Sequence, residues 1–253
     1  MLAFGAVPVA KLILEYDGTA YVGWQLQRNG PSIQGEVERA LSRLHKAALR
    51  VTAAGRTDAG VHALGQVVSV PVERPLPPVA YVKGMNAVLP ADIAVREASV
   101  VPDGFDARRD ASGKRYRYRI ENLATRAPLS RRFAWQVFRP LDVEAMRAAA
   151  RPLVGRHDFA AFQASDCEAR HAVRDLRRLE VDGRQGGGIE VVAEATAFVK
   201  HMVRNIVGTL VEVGLGARPP DSLAALLAGR DRTLAGPTAP PQGLCLEQVF
   251  YER

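Results

Sequence analysis

Leu49-Arg-Val-Thr-Ala-Ala-Gly-Arg-Thr-Asp-Ala-Gly-Val-His-Ala-Leu-Gly-Gln-Val-Val-Ser-Val70 places two β-like runs, Leu49 to Ala53 and Leu64 to Val72, around the connection Gly55 to Ala63. Apolar and β-branched residues fill both runs, and glycines punctuate the connection. Gly55 and Gly60 permit positive φ and close backbone approach, which sets the carboxylate of Asp58 at the lip of a sheet. Two readings of Asp58 stand at this point. It caps a backbone amide in a tight turn, as Asp beside Gly often does, or it is a nucleophile or base offered to a polyanionic substrate.

Outward from this stretch, Lys11 to Tyr16 reads as a strand closed by the turn signal Asp17-Gly18. Ser32, after Pro31, is placed to cap a helix from Ile33 to about Ala48, with Ile33, Val37, Ala40, Leu41 and Leu44 on one face. Pro77 and Pro78 open a helix through Val88, and Ile93 to Val101 is a further strand. The order β-α-β-β-α-β is the split βαβ pattern of ferredoxin-like domains. In the second half, strands are expected at Arg115 to Glu121, Phe133 to Phe138, Val173 to Val181, Ile189 to Ala195 and Leu244 to Tyr251. Helices are expected at Val143 to Leu153, Phe198 to Val213 and Ser222 to Leu227. Gly183 to Gly188 reads as a hairpin turn and Gly229 to Gly243 as a Gly/Pro-rich loop. The fold class is α+β: two ferredoxin-like or RRM-like halves, joined through a predominantly antiparallel sheet with helices packed on it and an active-site cleft between the halves. Residues 1–108 form the half with the aspartate loop, and residues 109–253 the half with a tyrosine strand and an arginine helix.

The 253 residues are 47% hydrophobic and 24% charged, as in ordinary soluble globular proteins. No run approaches the roughly 18 apolar residues of a membrane span, so no membrane association is expected. Met1 to Val9 lacks a basic start and reads as a short extension rather than a signal peptide. Cys167 and Cys245 stand alone, and the five histidines show no metal spacing, so neither a disulfide framework nor a metal site is indicated. The expected compartment is the cytoplasm. No glycine-rich phosphate loop occurs, and no cofactor is expected. The net charge of +7 favours a polyanionic partner. Lysine stands only at positions 11, 46, 83, 114 and 200 among the 34 basic residues. Arginine codon bias explains most of that excess, so placement of the arginines matters more than their number.

Three features accompany Asp58. Along Lys114-Arg-Tyr-Arg-Tyr-Arg-Ile120, alternation puts Lys114, Tyr116, Tyr118 and Ile120 on one strand face and Arg115, Arg117 and Arg119 on the other. One face offers rings for base stacking and the other cations for phosphates, unless the tyrosines are core and the arginines a solvated face. Tyr118 reads as core, and Tyr116, nearer the strand start, as the substrate contact. In the helix from Phe198, a broad apolar arc leaves Lys200 and Arg204 on one polar stripe, with His201 and Asn205 as ordinary edge groups. An arginine in so apolar a helix needs a carboxylate or substrate partner, and Asp58 is the candidate. The loops Phe105 to Ala111 and Asp166 to His171 add arginines suited to phosphate.

The blocks Tyr16-Asp-Gly-Thr-Ala-Tyr-Val-Gly-Trp-Gln25, Gly55-Arg-Thr-Asp-Ala-Gly-Val-His-Ala63, Phe105-Asp-Ala-Arg108, Lys114-Arg-Tyr-Arg-Tyr118, His201-Met-Val-Arg-Asn-Ile-Val-Gly208 and Gly243-Leu-Cys-Leu246 occur in one order along the chain. Through them it resembles the TruA family of tRNA pseudouridine synthases, which modify positions 38 to 40 of the anticodon stem-loop. The resemblance implies that Asp58 is the nucleophile, that Arg204 pairs with it, and that Tyr116 stacks on the flipped base and is a candidate for C5 deprotonation. It implies that Arg56 occupies the space the base vacates and that Leu246 forms an apolar wall. Phe105, Arg108, Arg109, Lys114, Asp166 and Arg170 are the RNA contacts so implied, and a homodimer sharing one tRNA the assembly. A non-catalytic RNA-binding protein of two RRM-like halves is the rival reading, and it leaves the Asp58 loop unexplained.

Overall fold

The computed structural model describes residues 7–252, so positions 1–6 of the expected N-terminal extension lie outside it. The elements are β1 (Val9–Tyr16), α1 (Ile33–His45), β2 (Thr52–Ala53), β3 (His62–Pro71), α2 (Pro78–Asn86), β4 (Ile93–Val101), β5 (Ala111–Glu121), β6 (Trp135–Gln136), α3 (Val143–Ala150), β7 (Gly155–Asp158), β8 (Val173–Gly183), β9 (Gly188–Ala195), α4 (Met202–Gly214), α5 (Ser222–Gly229) and β10 (Leu244–Tyr251). They divide into two compact units, Met1–Ser112 with Leu246–Arg253, and Gly113–Cys245. The fold class is α+β.

In the first unit the strand order is β4-β1-β3, with β2 and β10 also on β3. That is the expected split βαβ arrangement, with β1 antiparallel to both neighbours. Burial of Val9, Ala10, Leu12, Leu14 and Tyr16 along β1 follows the apolar alternation. α1 begins where Ser32 accepts a hydrogen bond from the Gly35 amide, and ends at His45 because Lys46 turns left-handed (φ 53°). Asn86 docks α2 on β4 by exchanging hydrogen bonds with both backbone groups of Val95. The strand expected from Leu49 shrinks to Thr52–Ala53, since the Val51 amide bonds the Glu38 side chain instead of a ladder partner. β3 starts two residues early, at His62, where the buried imidazole accepts from the Gly18 amide.

The sequence reading assigns residues 246–253 to the second half, whereas the structure groups them with the first unit. Side chains explain the difference. The Tyr251 hydroxyl donates to the Ala107 carbonyl, its ring meets Phe105 at 5.3 Å, and the Lys11 ammonium lies 4.4 Å over it.

The second unit carries the order β5-β9-β8-β7, and those neighbours pair antiparallel. β6 pairs β5 in parallel over two residues only, so the strand expected at 133–138 is a short bridge. β7 was not anticipated, because Gly-Arg-His-Asp has no apolar alternation. The β8–β9 hairpin turns through Gly186 and Gly187, both at positive φ. α4 packs on α3, where Gly214 meets the fully buried Met146, and on the short turn that carries Phe162, also fully buried. Among the described residues no helix is long and apolar enough to cross a membrane.

Leu12 is fully buried on β1, whereas Leu64 on β3 is 43% exposed. Leu12→Ala is expected to cost the first unit about 2–5 kcal/mol, and Leu64→Ala to stay within about 0.5 kcal/mol of the parent. Urea titration of both variants checks the contrast.

Candidate active site

The Asp58 loop is held along its length by backbone bonds and packing. The Val61 amide donates to the Asp58 carbonyl, and Gly60 at φ +76° supplies the positive angle that the third position of a type II turn requires. The Thr57 carbonyl accepts from the Trp24 amide at 3.0 Å, while the Thr57 hydroxyl lies 2.8 Å from the Tyr16 hydroxyl. Gln66, fully buried on β3, donates to the Gly55 carbonyl at 2.7 Å. Gly23, at φ +109°, lets two backbone segments meet: a Cβ there would fall 2.8 Å from the Thr57 carbonyl oxygen and 3.1 Å from the Ala59 nitrogen. Asp58 itself is half-buried, and Arg56 beside it is exposed. The backbone that carries the carboxylate is thus fixed on both sides.

Leu246, on β10 of the same unit, is fully buried. In the loop before β5, Phe105 is half-buried, engaged by Tyr251 on one side and by Lys11 at 5.2 Å. Asp106 caps the Arg108 and Arg109 amides at 2.8 Å, turning both arginine side chains to solvent. Arg109 Nε also meets Asp110 at 3.0 Å, and that contact helps hold the Asp110 carboxyl below its usual range, after the larger effect of the Asp106 amide.

In the second unit, Tyr116 is 8% exposed and stands edge-on to Phe198, with ring centroids 5.1 Å apart. Tyr118 is fully buried, as expected, and donates to the Pro240 carbonyl at 2.7 Å. Burial raises its pKa far above that of an ordinary phenol, against an opposing effect of the Arg204 charge. Lys114, fourth in the strand, is half-buried. The opposite face departs from a row of cations awaiting phosphate. Arg115 pairs with Glu194, and Arg119 with Glu190, each directly across the ladder on β9. Glu190 and Glu194, four residues apart, share one face of β9, and that spacing matches Arg119 and Arg115 across the ladder.

α4 begins at Met202, four residues later than the periodicity suggests, because His201 adopts the left-handed conformation (φ 63°). Lys200 therefore leaves the expected stripe with Arg204 and donates to Asp166 at 2.6 Å. That bond is the main cause lowering the Asp166 pKa. Arg170 is exposed nearby in sequence. Arg204 remains in the first turn of α4, half-buried, and its Nε donates to the Ala239 carbonyl at 2.8 Å. Asn205 is no edge group: it is fully buried, donating to the Phe162 carbonyl and accepting from Thr238 and Arg232. Sequence reasoning missed Gly23, Gln66 and the Asn205 contacts. Among the described residues no cluster of three His, Cys, Asp or Glu suited to a metal occurs.

The fixed turn at Asp58 and the exposed loop arginines leave the kind of protein to be settled by its relatives. Comparison with known proteins gives the kind. A family model described as tRNA pseudouridine synthase matches residues 12–109 and 149–252. The tRNA pseudouridine synthase A of Myxococcus xanthus is 59% identical over 245 residues, covering 97% of this chain and 92% of that protein. The Syntrophotalea carbinolica protein of the same name is 52% identical, covering 96% of each chain, and that of Rhodopseudomonas palustris 48%, covering 97% and 100%. The chain belongs to the tRNA pseudouridine synthase family, whose enzymes are isomerases.

The packing at Gly23 predicts a graded response. Gly104 has a similar φ of +88° but open space around it, so Gly104→Ala should cost only the left-handed backbone strain, about 1–2 kcal/mol. Gly23→Ala should cost about 1–3 kcal/mol more through overpacking. Thermal unfolding compares them, and equal losses would show that the Asp58 loop yields to a methyl group.

Proposed function

We propose that the chain converts uridine to pseudouridine at positions 38 to 40 of the tRNA anticodon stem-loop, with Asp58 as the nucleophile. The observation that carries the proposal is the fixed turn at Asp58, whose backbone is bonded through Thr57, Asp58 and Gly55 and packed on Gly23. The N1–C1′ bond of uridine breaks, the uracil turns, C5 bonds to C1′, C5 then loses its proton and N1 carries one in the product. The conversion is redox-neutral and needs no electron carrier. Attack by aspartate at uracil C6 and attack at ribose C1′ ask the same of the protein: a positioned anion in a shielded place.

In this reading Arg204 pairs with Asp58 and orients the carboxylate. Tyr116 stacks on the extruded base, for which its edge contact with Phe198 sets the ring angle. Arg56 occupies the gap in the RNA stack, whose opening costs about a few kcal/mol, and Leu246 supplies an apolar wall. Arg108, Arg109, Lys114 and Arg170 meet phosphates, and Asp166, held in its loop by Lys200, is a further RNA contact. For Phe105, the contacts with Tyr251 and Lys11 support a part in holding that loop toward RNA. The working form is a homodimer in the cytoplasm, with one tRNA across both subunits.

Tritium release from tRNA labelled at uridine C5 tests the nucleophile. Asp58→Asn should bind tRNA within about threefold of the parent while release falls by about a thousandfold or more. Substantial release from that variant sinks the assignment. Sedimentation equilibrium at assay concentration should give twice the chain mass, and a monomer there removes the dimer from the proposal.

A further inference from the structure

The loop between α5 and β10 has little regular structure, yet its tip lies directly on α4. Gly208 makes this possible, since a Cβ there would overlap the Pro237 carbonyl. The Gly236 amide donates to the Thr209 hydroxyl at 3.0 Å, which itself donates to the Asn205 carbonyl at 2.7 Å. The contact then becomes reciprocal at one residue pair. The Ala239 amide donates to the Arg204 carbonyl at 3.1 Å, and Arg204 Nε donates back to the Ala239 carbonyl. The plane of the Arg204 guanidinium, and so the direction of its two terminal amino groups, depends on where the loop puts residue 239.

A second arginine fixes that place. Arg232 Nη1 donates to the Gly236 carbonyl at 3.0 Å, and Nη2 to Asn205 Oδ1 at 3.1 Å and Thr238 Oγ1 at 3.2 Å. Thr238 Oγ1 in turn donates to Asn205 Oδ1 at 2.6 Å. Asn205 Nδ2 donates to the Phe162 carbonyl, which fixes the orientation of the amide. All the acceptors of Arg232 here are neutral, so its charge strengthens bonds that hold a loop rather than an ion pair. Because the network closes on the fully buried Asn205, a partner missing there costs more than its own bond.

We infer that Arg232, Asn205 and Thr238 form a positioning cluster that aims Arg204 by fixing Thr238-Ala239 against α4; the inference rests on the assignment of Arg204 to the catalytic pair. None of the three touches the reacting atoms. They set the carbonyl that orients Arg204, the partner of the nucleophile, and a displacement of about 1 Å there is worth up to about a hundredfold in rate.

Thr238 gives the cleanest test, because valine keeps its shape without the hydroxyl and serine keeps the hydroxyl. Single-turnover rates on tRNA are measured with enzyme in excess, normalised to the folded fraction from circular dichroism, alongside Kd for tRNA. Thr238→Val should lower the rate constant roughly five- to twentyfold with Kd within about twofold, and Thr238→Ser should stay within about twofold of the parent in both. A parental rate in Thr238→Val, an equal loss in Thr238→Ser, or a loss confined to Kd or to the folded fraction overturns the inference. Arg204→Lys separates it from the reading beneath it. If Arg204→Lys is slow while Thr238→Val is not, only the cluster fails. If Arg204→Lys turns over at the parental rate, the catalytic assignment of Arg204 fails and the cluster has nothing to aim.

Discussion

The hydrogen bond from the Trp24 amide to the Thr57 carbonyl, with Gly23 pressed against the next peptide, is the constraint on which the candidate site depends. It joins the segment leading into α1 to the connection before β3, and so ties Asp58 to the framework of the first unit. The residue after Thr57 then has little freedom left, because its carbonyl closes the turn to Val61. Ordering a free loop would cost about 1–2 kcal/mol per residue of backbone entropy. Here folding has already ordered it, and a reaction that needs a positioned anion begins from that arrangement.

Charge follows the same logic of prior commitment. The net charge of +7 suits a polyanionic partner, yet the densest run of arginine, on β5, is largely engaged with glutamates of β9. Cross-strand pairs of this kind are worth about 0.2–1 kcal/mol each and stiffen the sheet beneath Tyr116. Arginines on loops, such as Arg108 and Arg170, stand exposed instead. α4 shows the matching case, in which Arg232 holds a loop so that Arg204 keeps one orientation.

Much of this was legible in the chain. The β-α-β-β-α-β order of the first unit, the Ser32 cap, the core position of Tyr118 and the hairpin turn between Gly183 and Gly188 all follow from short-range rules of period, capping and turn chemistry. The errors lie where a distant group overrides a local pattern. Val51 leaves its strand because Glu38 takes its amide. α4 starts late because His201 turns left-handed, although the apolar period runs on through it. Asn205 looks like an edge group on a helical wheel, since nothing local reveals that Thr238 and Arg232 come to it.

The sequence by itself determined the α+β class, most elements and the presence of an aspartate on a glycine-flanked turn, because those depend on neighbours within a few residues. Tertiary structure alone decided that Gly23 must lack a side chain, that the β5 arginines are paired, that residues 246–253 group with the first unit and that Ala239 orients Arg204. The physical reason is the same in each case. Hydrogen bonds and close packing between segments tens of residues apart leave no periodic trace in either segment, and become visible only when the chain has brought both partners together.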